Sequence, residues 1–196
     1  MSLGTIVYIG GFELPDKNAA AQRVVNNSKL LREIGYTVVF IGLDKQLITY
    51  RNFVATQKKY FDFESYALPY PRNSIQWFKY IFSFKPYHQI FKRSKNINSI
   101  ICYNLPSGSL FFIYLYSKLR KIKVFSDCTE WYDIPKNSSF LFKIIKKLDV
   151  FFRMKVIQPR LDGVISISRF LYDFYSKKGT KTILIPPLIN LQVQFS

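Results

Sequence analysis

The stretch Thr5-Ile6-Val7-Tyr8-Ile9-Gly10-Gly11 decides the fold class of this sequence. An apolar, mostly β-branched run that stops at two glycines predicts a strand buried on both faces, as in parallel sheets. The pattern then predicts an amphipathic helix over Asn18–Ile34, ending at Gly35, and a second strand over Thr37–Leu43. A strand, a helix and a strand in this order form the unit from which parallel sheets are built.

The same alternation continues along the chain. Further strands are predicted at Ser99–Tyr103, Lys123–Ser126, Gly163–Ile167 and Thr182–Ile185, and further helices at Ser107–Arg120, Asn137–Val156 and Ser168–Lys178. Before them, Tyr60-Phe61-Asp62-Phe63 alternates as a strand does, and Asn73–Lys92 is predicted as a helix interrupted at Pro86. The pattern predicts a three-layer α/β/α Rossmann-like domain with a doubly wound, mostly parallel sheet. Ligands of such sheets bind at the carboxyl ends of the strands.

Composition limits the class of protein. The 196 residues carry a net charge of +17 and are 48% hydrophobic, which indicates one folded domain rather than a disordered chain. The longest apolar run, Leu110–Tyr116, is shorter than the roughly 18 residues of a membrane span, and no secretory signal is visible. We therefore expect a cytoplasmic protein in which Cys102 and Cys128 are buried free thiols. With only one histidine, no metal site is expected.

The loop after the first strand is a candidate ligand-binding loop. Gly10 and Gly11 let backbone N–H groups approach a ligand, and the helix N-terminus that follows favours an anion. A tight turn without a ligand fits the same residues, and Arg23 either pairs with a phosphate or lies in solvent. The third glycine of a dinucleotide-binding loop is missing, which argues against a nucleotide-dependent oxidoreductase although Asp44 follows the second strand.

Two later strands also end in polar loops. One contains Asp127, Glu130 and Asp133 around Trp131. Carboxylates bind sugar hydroxyls or act as a base, and aromatic rings stack on sugars, so Asp127 and Glu130 are candidate catalytic residues and Trp131 a candidate substrate contact. Alternatively, Asp127 or Asp133 caps the next helix or pairs with a surface lysine.

The other polar loop follows the strand that ends at Tyr103. Its Asn104 is a candidate substrate ligand, because it comes directly after a strand of the predicted parallel sheet. The alternative is that Asn104 or Ser107 caps the helix that follows.

Basic residues lie beside apolar stripes. The segment Trp77–Lys85 mixes aromatic and basic residues, and the long helix over Asn137–Val156 combines an apolar stripe with five lysines and arginines. Such a stripe is either a core face or a surface that lies on anionic lipid. Nucleic acid would use the same charge, but no nucleic-acid-binding motif is present. A basic module that binds a membrane or nucleic acid without catalysis is therefore the alternative function.

Three segments resemble family-four-like glycosyltransferases. The first runs from Tyr8–Gly11 through the alanine-rich helix to Leu31–Val38, the second is Asp162–Leu171, and the third is Thr182–Asn190. The resemblance covers nearly the whole chain and implies the GT-B arrangement of two Rossmann-like domains. Residues 1–187 would be the N-terminal, acceptor-binding domain, and residues 188–196 would begin a linker to a missing donor-binding domain.

The resemblance also implies an activity. The full enzyme would transfer a hexose from a nucleotide sugar with retention of configuration, without a metal or other cofactor, and this chain would be inactive alone. Gly10 and Gly11 match the family's glycine loop, Arg23 is a looser match, and Ser168 lies in the matching later segment. Many relatives have a histidine after the strand that here ends at Asp127, so Asp127 or Glu130 would take over its contacts with the sugar.

Partners follow from the same resemblance. They are a nucleotide-sugar donor bound by the second domain, a sugar or lipid-linked acceptor, and an anionic membrane surface, with no nucleic acid. The expected setting is the inner face of the plasma membrane, and the expected process is the synthesis of cell-surface polysaccharide or glycolipid.

Overall fold

The computed structural model describes residues 2–15, 17–47, 56–130 and 140–188. The strands are β1 (Thr5–Gly10), β2 (Thr37–Asp44), β3 (Thr56–Tyr60), β4 (Phe63–Pro69), β5 (Ile97–Tyr103), β6 (Lys123–Cys128), β7 (Gly163–Ser166) and β8 (Thr182–Leu184). The helices are α1 (Ala19–Glu33), α2 (Ser74–Ile81), α3 (Lys85–Arg93), α4 (Ser107–Arg120), α5 (Phe140–Phe151) and α6 (Arg169–Ser176). A π-helical turn, Phe152–Ile157, continues α5.

The strands form one sheet in the order β3-β4-β2-β1-β5-β6-β7-β8. Every neighbouring pair is parallel except β3 and β4. From β1 the chain moves outward through β2 to β4 and then returns to β5 on the other side of β1. The doubly wound sheet predicted from the sequence is therefore confirmed, and its topological switch point lies between β1 and β5.

Helices cover both faces of the sheet. On one face, α1 packs Ala21, Val24 and Val25 against Tyr8 and Phe40. The opposite face is covered by side chains from α2, α3, α4 and the π-helical turn, among them Tyr80, Ile90, Leu110, Ile113 and Ile157. The three-layer architecture follows from this packing, because continuous apolar strands need cover on both sides.

The sequence prediction was wrong at the segment Tyr60–Phe63, which is not one strand. Phe61 and Asp62 have φ angles of +49° and +62° and form the turn of a hairpin between β3 and β4. A two-residue loop with both φ values positive matches the twist of the flanking antiparallel strands.

The interruption predicted at Pro86 is confirmed. The segment forms two helices, α2 and α3, and Pro86 lies in the first turn of α3, where a missing N–H costs no helical hydrogen bond. The helix predicted from Asn137 is described from Phe140 onward, and its beginning lies outside the described residues.

Cys102 and Cys128 are free and buried, as predicted. Burial raises the pKa of both thiols, which keeps them protonated and poorly nucleophilic. Nothing in the described geometry gives either cysteine a role in chemistry.

Two further expectations concern helices that could cross a membrane and the linker predicted after the sheet. In the described part of the chain, no helix is long and apolar enough to cross a membrane. Residues 185–188 follow β8 without regular structure, and residues 189–196 of the predicted linker, 188–196, lie outside the described residues.

The two glycines at the end of β1 have different surroundings. A Cβ atom on Gly10 would lie 2.2 Å from the carbonyl oxygen of Tyr103 on β5, whereas a Cβ atom on Gly11 would meet no atom within 4 Å. Gly10 is therefore required for the approach of β1 to β5, and Gly11 is free to face a ligand.

We expect Gly10→Ala to destabilise the fold by about 1–3 kcal/mol or more, because the backbone of β5 must move to admit the new methyl group. Gly11→Ala is the matched control and should change the free energy of unfolding by less than about 0.5 kcal/mol. Urea denaturation of both variants measures the difference. Equal stability of the two variants would contradict the packing described here.

Candidate functional site: a cleft at the switch point

A cleft of about 560 Å³ opens at the carboxyl edge of the sheet, beside the switch point between β1 and β5. Four candidates from the sequence line it: Gly11, Arg23, Asn104 and Glu130. Side chains that sequence reasoning did not assign to the site also line it, namely Trp77, Tyr103, Thr129, Lys146, Asp149 and Arg153. The topology brings these residues together, because parallel strands all end at the same edge.

The start of α1 forms one wall of the cleft. Asn18 caps this helix, and its side-chain oxygen accepts a hydrogen bond from the N–H of Ala21 at 2.8 Å. Ala19 and Ala20 also line the cleft, and their short side chains leave room beside Gly11. This wall is thus built from backbone and small side chains, which a flat substrate can approach closely.

A polar network forms the floor of the cleft. Asn104, held at a φ of +45°, donates from its side-chain nitrogen to Thr129 Oγ1 at 2.7 Å. The Thr129 hydroxyl in turn lies 3.1 Å from the hydroxyl oxygen of Tyr103. Burial raises the pKa of Tyr103, so this hydroxyl stays protonated at neutral pH. The network joins the loops after β5 and β6 and offers hydroxyl and amide groups to a ligand.

The predicted capping of α4 was wrong. Neither Asn104 nor Ser107 caps this helix with its side chain; instead Asp149 of α5 accepts a hydrogen bond from the backbone N–H of Ser107 at 2.6 Å. A carboxylate at a helix N-terminus is stabilised by the helix dipole. Asp149 is therefore engaged in structure through one oxygen, and Glu130 is the exposed carboxylate among the described residues that line the cleft.

Two cations from α5 and the π-helical turn stand on the same side as Glu130. Lys146 and Arg153 both line the cleft. Burial lowers the pKa of Lys146, and Arg153 lowers it further, while Asp149 and Glu130 raise it. The wall is therefore a mixed cluster of charges rather than a uniformly basic one.

Asp127 lies beneath the cleft, where the structure does not allow it the sugar contact expected from the sequence. Its carboxylate is fully buried and accepts hydrogen bonds from Arg23 Nη2 at 2.8 Å, from Arg23 Nε at 3.1 Å and from the Tyr8 hydroxyl. Burial raises the pKa of Asp127, and the Arg23 guanidinium and the Tyr8 hydroxyl lower it. Both carboxylate oxygens are occupied, and neither caps a helix.

The surroundings of Arg23 also differ from both predicted alternatives, pairing with a phosphate and lying in solvent. Arg23 neither lies in solvent nor points at an open phosphate site, because its guanidinium is buried against Asp127. Its remaining nitrogen, Nη1, donates to the carbonyl oxygen of Ile185 at 2.9 Å, and the nearby Asn26 side chain donates to that of Leu188. Arg23 thus ties α1 to β6 and to the segment that leaves β8.

The remaining predicted residues do not contact the cleft or lie outside the described residues. Ser168 caps α6, where its hydroxyl accepts a 3.4 Å hydrogen bond from the N–H of Leu171. Gly10 is buried against β5, as described above. Trp131 and Asp133 lie outside the described residues.

A second, larger groove of about 710 Å³ lies at the other edge of the sheet. Arg32, Lys58 and Phe63 are among its lining residues, beside the amino end of β2 and the β3–β4 hairpin. It lies away from the switch point, and none of the candidate catalytic or substrate-binding residues predicted from the sequence line it. The cleft is therefore the better candidate, although it is smaller.

The helices beside the cleft carry an exposed apolar face, here called the apolar face. It consists of side chains from α2, α4 and α5, each 38–85% exposed: Phe78, Phe82, Phe111, Phe112, Leu115, Leu119, Ile144, Ile145, Leu148 and Phe151. The helix α4 lies between α2 and α5 and contacts both. The same three helices carry exposed lysines, among them Lys79, Lys118 and Lys147. Contiguous exposed apolar patches mark interaction sites, so this face is a candidate for one.

Comparison with known proteins shows the fold. No protein-family model matches the chain, and no curated protein matches it in sequence. The catalytic domain of starch synthase IV from Arabidopsis thaliana, bound to ADP and acarbose, superimposes with a TM-score of 0.62 at 13% identity, over 96% of this chain and 52% of its own. UGT89C1 from the same plant, complexed with UDP-L-rhamnose, gives 0.52 at 11% identity, over 98% and 51%.

A third solved structure agrees with these two. The α,α-trehalose 6-phosphate synthase from Burkholderia multivorans gives a TM-score of 0.53 at 10% identity, over 91% of this chain and 43% of its own. The chain therefore has the α/β fold found in GT-B glycosyltransferases, and it spans about half the length of the solved structures it matches.

Proposed function

We propose that this chain is the acceptor-binding, N-terminal half of a retaining, nucleotide-sugar-dependent glycosyltransferase of the family-four type. The observation that carries the proposal is the cleft at the switch point, where Glu130, the Asn104–Thr129 pair and Trp77 face one space. The fold shared with sugar-transferring enzymes whose structures hold ADP or a UDP-sugar supports it.

The cleft residues suit an acceptor sugar. Glu130 accepts hydrogen bonds from sugar hydroxyls and orients the one that attacks the donor, while Asn104 and Thr129 supply neutral hydrogen-bonding groups. The indole of Trp77 offers a flat apolar surface to a sugar ring. Asp127 serves as a positioning residue, since its pairing with Arg23 holds the loop that carries Glu130.

The donor sugar is proposed to come from a second domain, with neither metal nor cofactor. On this proposal the 196-residue chain binds an acceptor but transfers no sugar alone. Sequencing the gene beyond the codon for Ser196 tests this proposal, because a further Rossmann-sized domain encoded there would supply the donor site.

We propose that the protein acts at the anionic inner face of the plasma membrane, in the synthesis of cell-surface polysaccharide or glycolipid. The net charge of +17 and the lysines of the apolar face support this setting. Each basic residue near an anionic surface contributes about 1 kcal/mol, and the exposed aromatic and aliphatic side chains gain from leaving water.

Sugar binding is tested by saturation-transfer NMR and calorimetry with maltose, cellobiose and chitobiose. We expect at least one of them to bind, and Glu130→Gln to weaken binding about tenfold or more, because a hydrogen bond to a charged group contributes about 1.5–3 kcal/mol. Glu33→Gln, at an exposed carboxylate near the end of α1, is the matched control and should bind as the wild type does.

Failure of all three sugars to bind, or equal binding by Glu130→Gln, would refute the assignment of the cleft. Adding UDP-glucose and ADP-glucose tests the proposal that the 196-residue chain transfers no sugar alone. Sugar transfer by the purified chain at an enzyme-like rate would contradict the proposal that the donor site lies elsewhere.

Membrane docking is tested by flotation with vesicles of phosphatidylcholine, with and without phosphatidylglycerol. We expect binding that needs the anionic lipid and weakens with salt. Combined Phe78→Ser, Leu119→Ser and Leu148→Ser, one change per helix of the apolar face, should reduce binding by at least about tenfold. Ile183→Ser, at a 55% exposed residue of β8, is the control and should leave it unchanged.

The alternative function, a basic module that binds nucleic acid, predicts binding to DNA instead of to anionic vesicles. Salt-sensitive retention on single-stranded DNA, unaffected by the triple serine variant and accompanied by no binding to anionic vesicles, would favour that alternative.

A further inference from the structure

One wall of the cleft carries three charged side chains in a row, here called the charged stripe. They are Lys146 and Asp149 of α5 and Arg153 of the π-helical turn that continues it. Spacings of three and four residues place side chains on one face of a helix, and all three residues line the cleft. The charged stripe therefore faces the same space as the proposed sugar ligands.

The backbone that carries Arg153 is anchored in the apolar core. Met154 and Ile157 of the π-helical turn are buried in two different core clusters. Arg153 itself is only 3% exposed although it lines the cleft. Short π-helical turns are frequent at functional sites. The fold thus presents a fixed guanidinium to the cleft instead of a mobile surface side chain.

The inner part of this wall has an excess of positive charge. Among the five charged residues in the described lining, Arg23 is neutralised by Asp127, and Glu130 is exposed, so water screens its charge. The other three form the charged stripe, in which two cations face one carboxylate. That carboxylate, Asp149, also accepts a hydrogen bond at the positive end of α4, which takes up part of its charge.

The two cations of the charged stripe repel each other. Burial lowers the pKa of Lys146, and the charge of Arg153 lowers it further. An anionic group that binds beside both cations relieves this repulsion, whereas a neutral sugar offers no charge to do so. The charged stripe therefore favours a ligand that carries a negative charge.

We propose that the acceptor is an anionic sugar, whose carboxylate or phosphate binds to Arg153 and Lys146 while its hydroxyls bind to Glu130 and Asn104. This rests on the proposed function and names the substrate class of the same site. A guanidinium donates two parallel hydrogen bonds to a carboxylate or a phosphate, and an ammonium group adds a point charge. The diphosphate of a nucleotide sugar offers the same chemistry, so the test must separate acceptor from donor.

The test compares glucose, glucuronic acid and glucose 6-phosphate, which differ only at carbon 6, by saturation-transfer NMR titration of the purified chain. Inorganic phosphate is the probe for an anion without a sugar, and UDP is the probe for the donor. We expect at least one anionic sugar to bind about tenfold or more tightly than glucose, because charge-assisted hydrogen bonds are roughly twice as strong as neutral ones. Phosphate and UDP should bind more weakly than that sugar.

Lys146→Gln removes one cation and should reduce the preference for the anionic sugar over glucose about tenfold. Lys147→Gln is the matched control, because Lys147 is the next residue of α5, is exposed and does not line the cleft; this variant should keep the preference. Arg153→Lys keeps the charge but loses the planar fork, so it should also reduce the preference, by about threefold or more. It provides a second test if Lys146→Gln fails to fold.

The outcomes separate this proposal from the proposed function. Equal affinity for the three sugars, or a preference that survives in both Lys146→Gln and Arg153→Lys, would overturn the anionic acceptor while leaving the sugar cleft intact. Phosphate that binds as tightly as glucose 6-phosphate would also overturn it, because the sugar would then contribute nothing. UDP that binds more tightly than either anionic sugar, and is sensitive to Lys146→Gln, would assign the charged stripe to the donor. If no sugar binds at all, the proposed function fails as well.

Discussion

The buried ion pair between Arg23 and Asp127 joins the parts of the molecule that form the cleft. Through it α1 is bound to β6, and through Tyr8 and the Ile185 carbonyl the same cluster reaches β1 and the exit from β8. Removing one partner of a buried pair leaves an uncompensated charge, which costs about 3–5 kcal/mol. The position of the cleft walls relative to one another depends on this cluster.

The ion pair explains why Asp127 and Glu130, three residues apart, have different surroundings. Asp127 lies one residue before the end of β6 and is buried, and both its carboxylate oxygens accept hydrogen bonds from Arg23 or Tyr8. Glu130, three residues later, is past the strand and exposed in the cleft wall. The nearby Asp149 accepts a hydrogen bond at the start of α4, whereas Glu130 is the exposed carboxylate among the described residues that line the cleft.

Much of the fold was predictable because buried parallel strands are continuous apolar runs. The residues of β1, β2, β5 and β7 each show this signal, and Pro86 marks the division of α2 from α3. The β3–β4 hairpin was not predictable from alternation, since Phe61 and Asp62 are not the glycine or asparagine that usually signal a two-residue turn.

The site was predictable only in part. Position after a strand pointed to Asn104 and Glu130, and both line the cleft. It did not distinguish Asp127 from Glu130. It also did not identify Arg23 as the partner of Asp127, because the two residues are 104 positions apart in sequence and leave no local pattern. Trp77 and Lys146 reach the cleft from helices, and periodicity does not show where a helix lies in space.

The most direct test of this account is the free energy of unfolding of Asp127→Asn and Glu130→Gln, measured side by side in urea. The account predicts that Asp127→Asn loses about 3–5 kcal/mol, because Arg23 remains buried without its counter-charge. Glu130→Gln should change the stability by less than about 0.5 kcal/mol, because its side chain is exposed. An Asp127→Asn variant as stable as the wild type, or an equal loss in both variants, would contradict it.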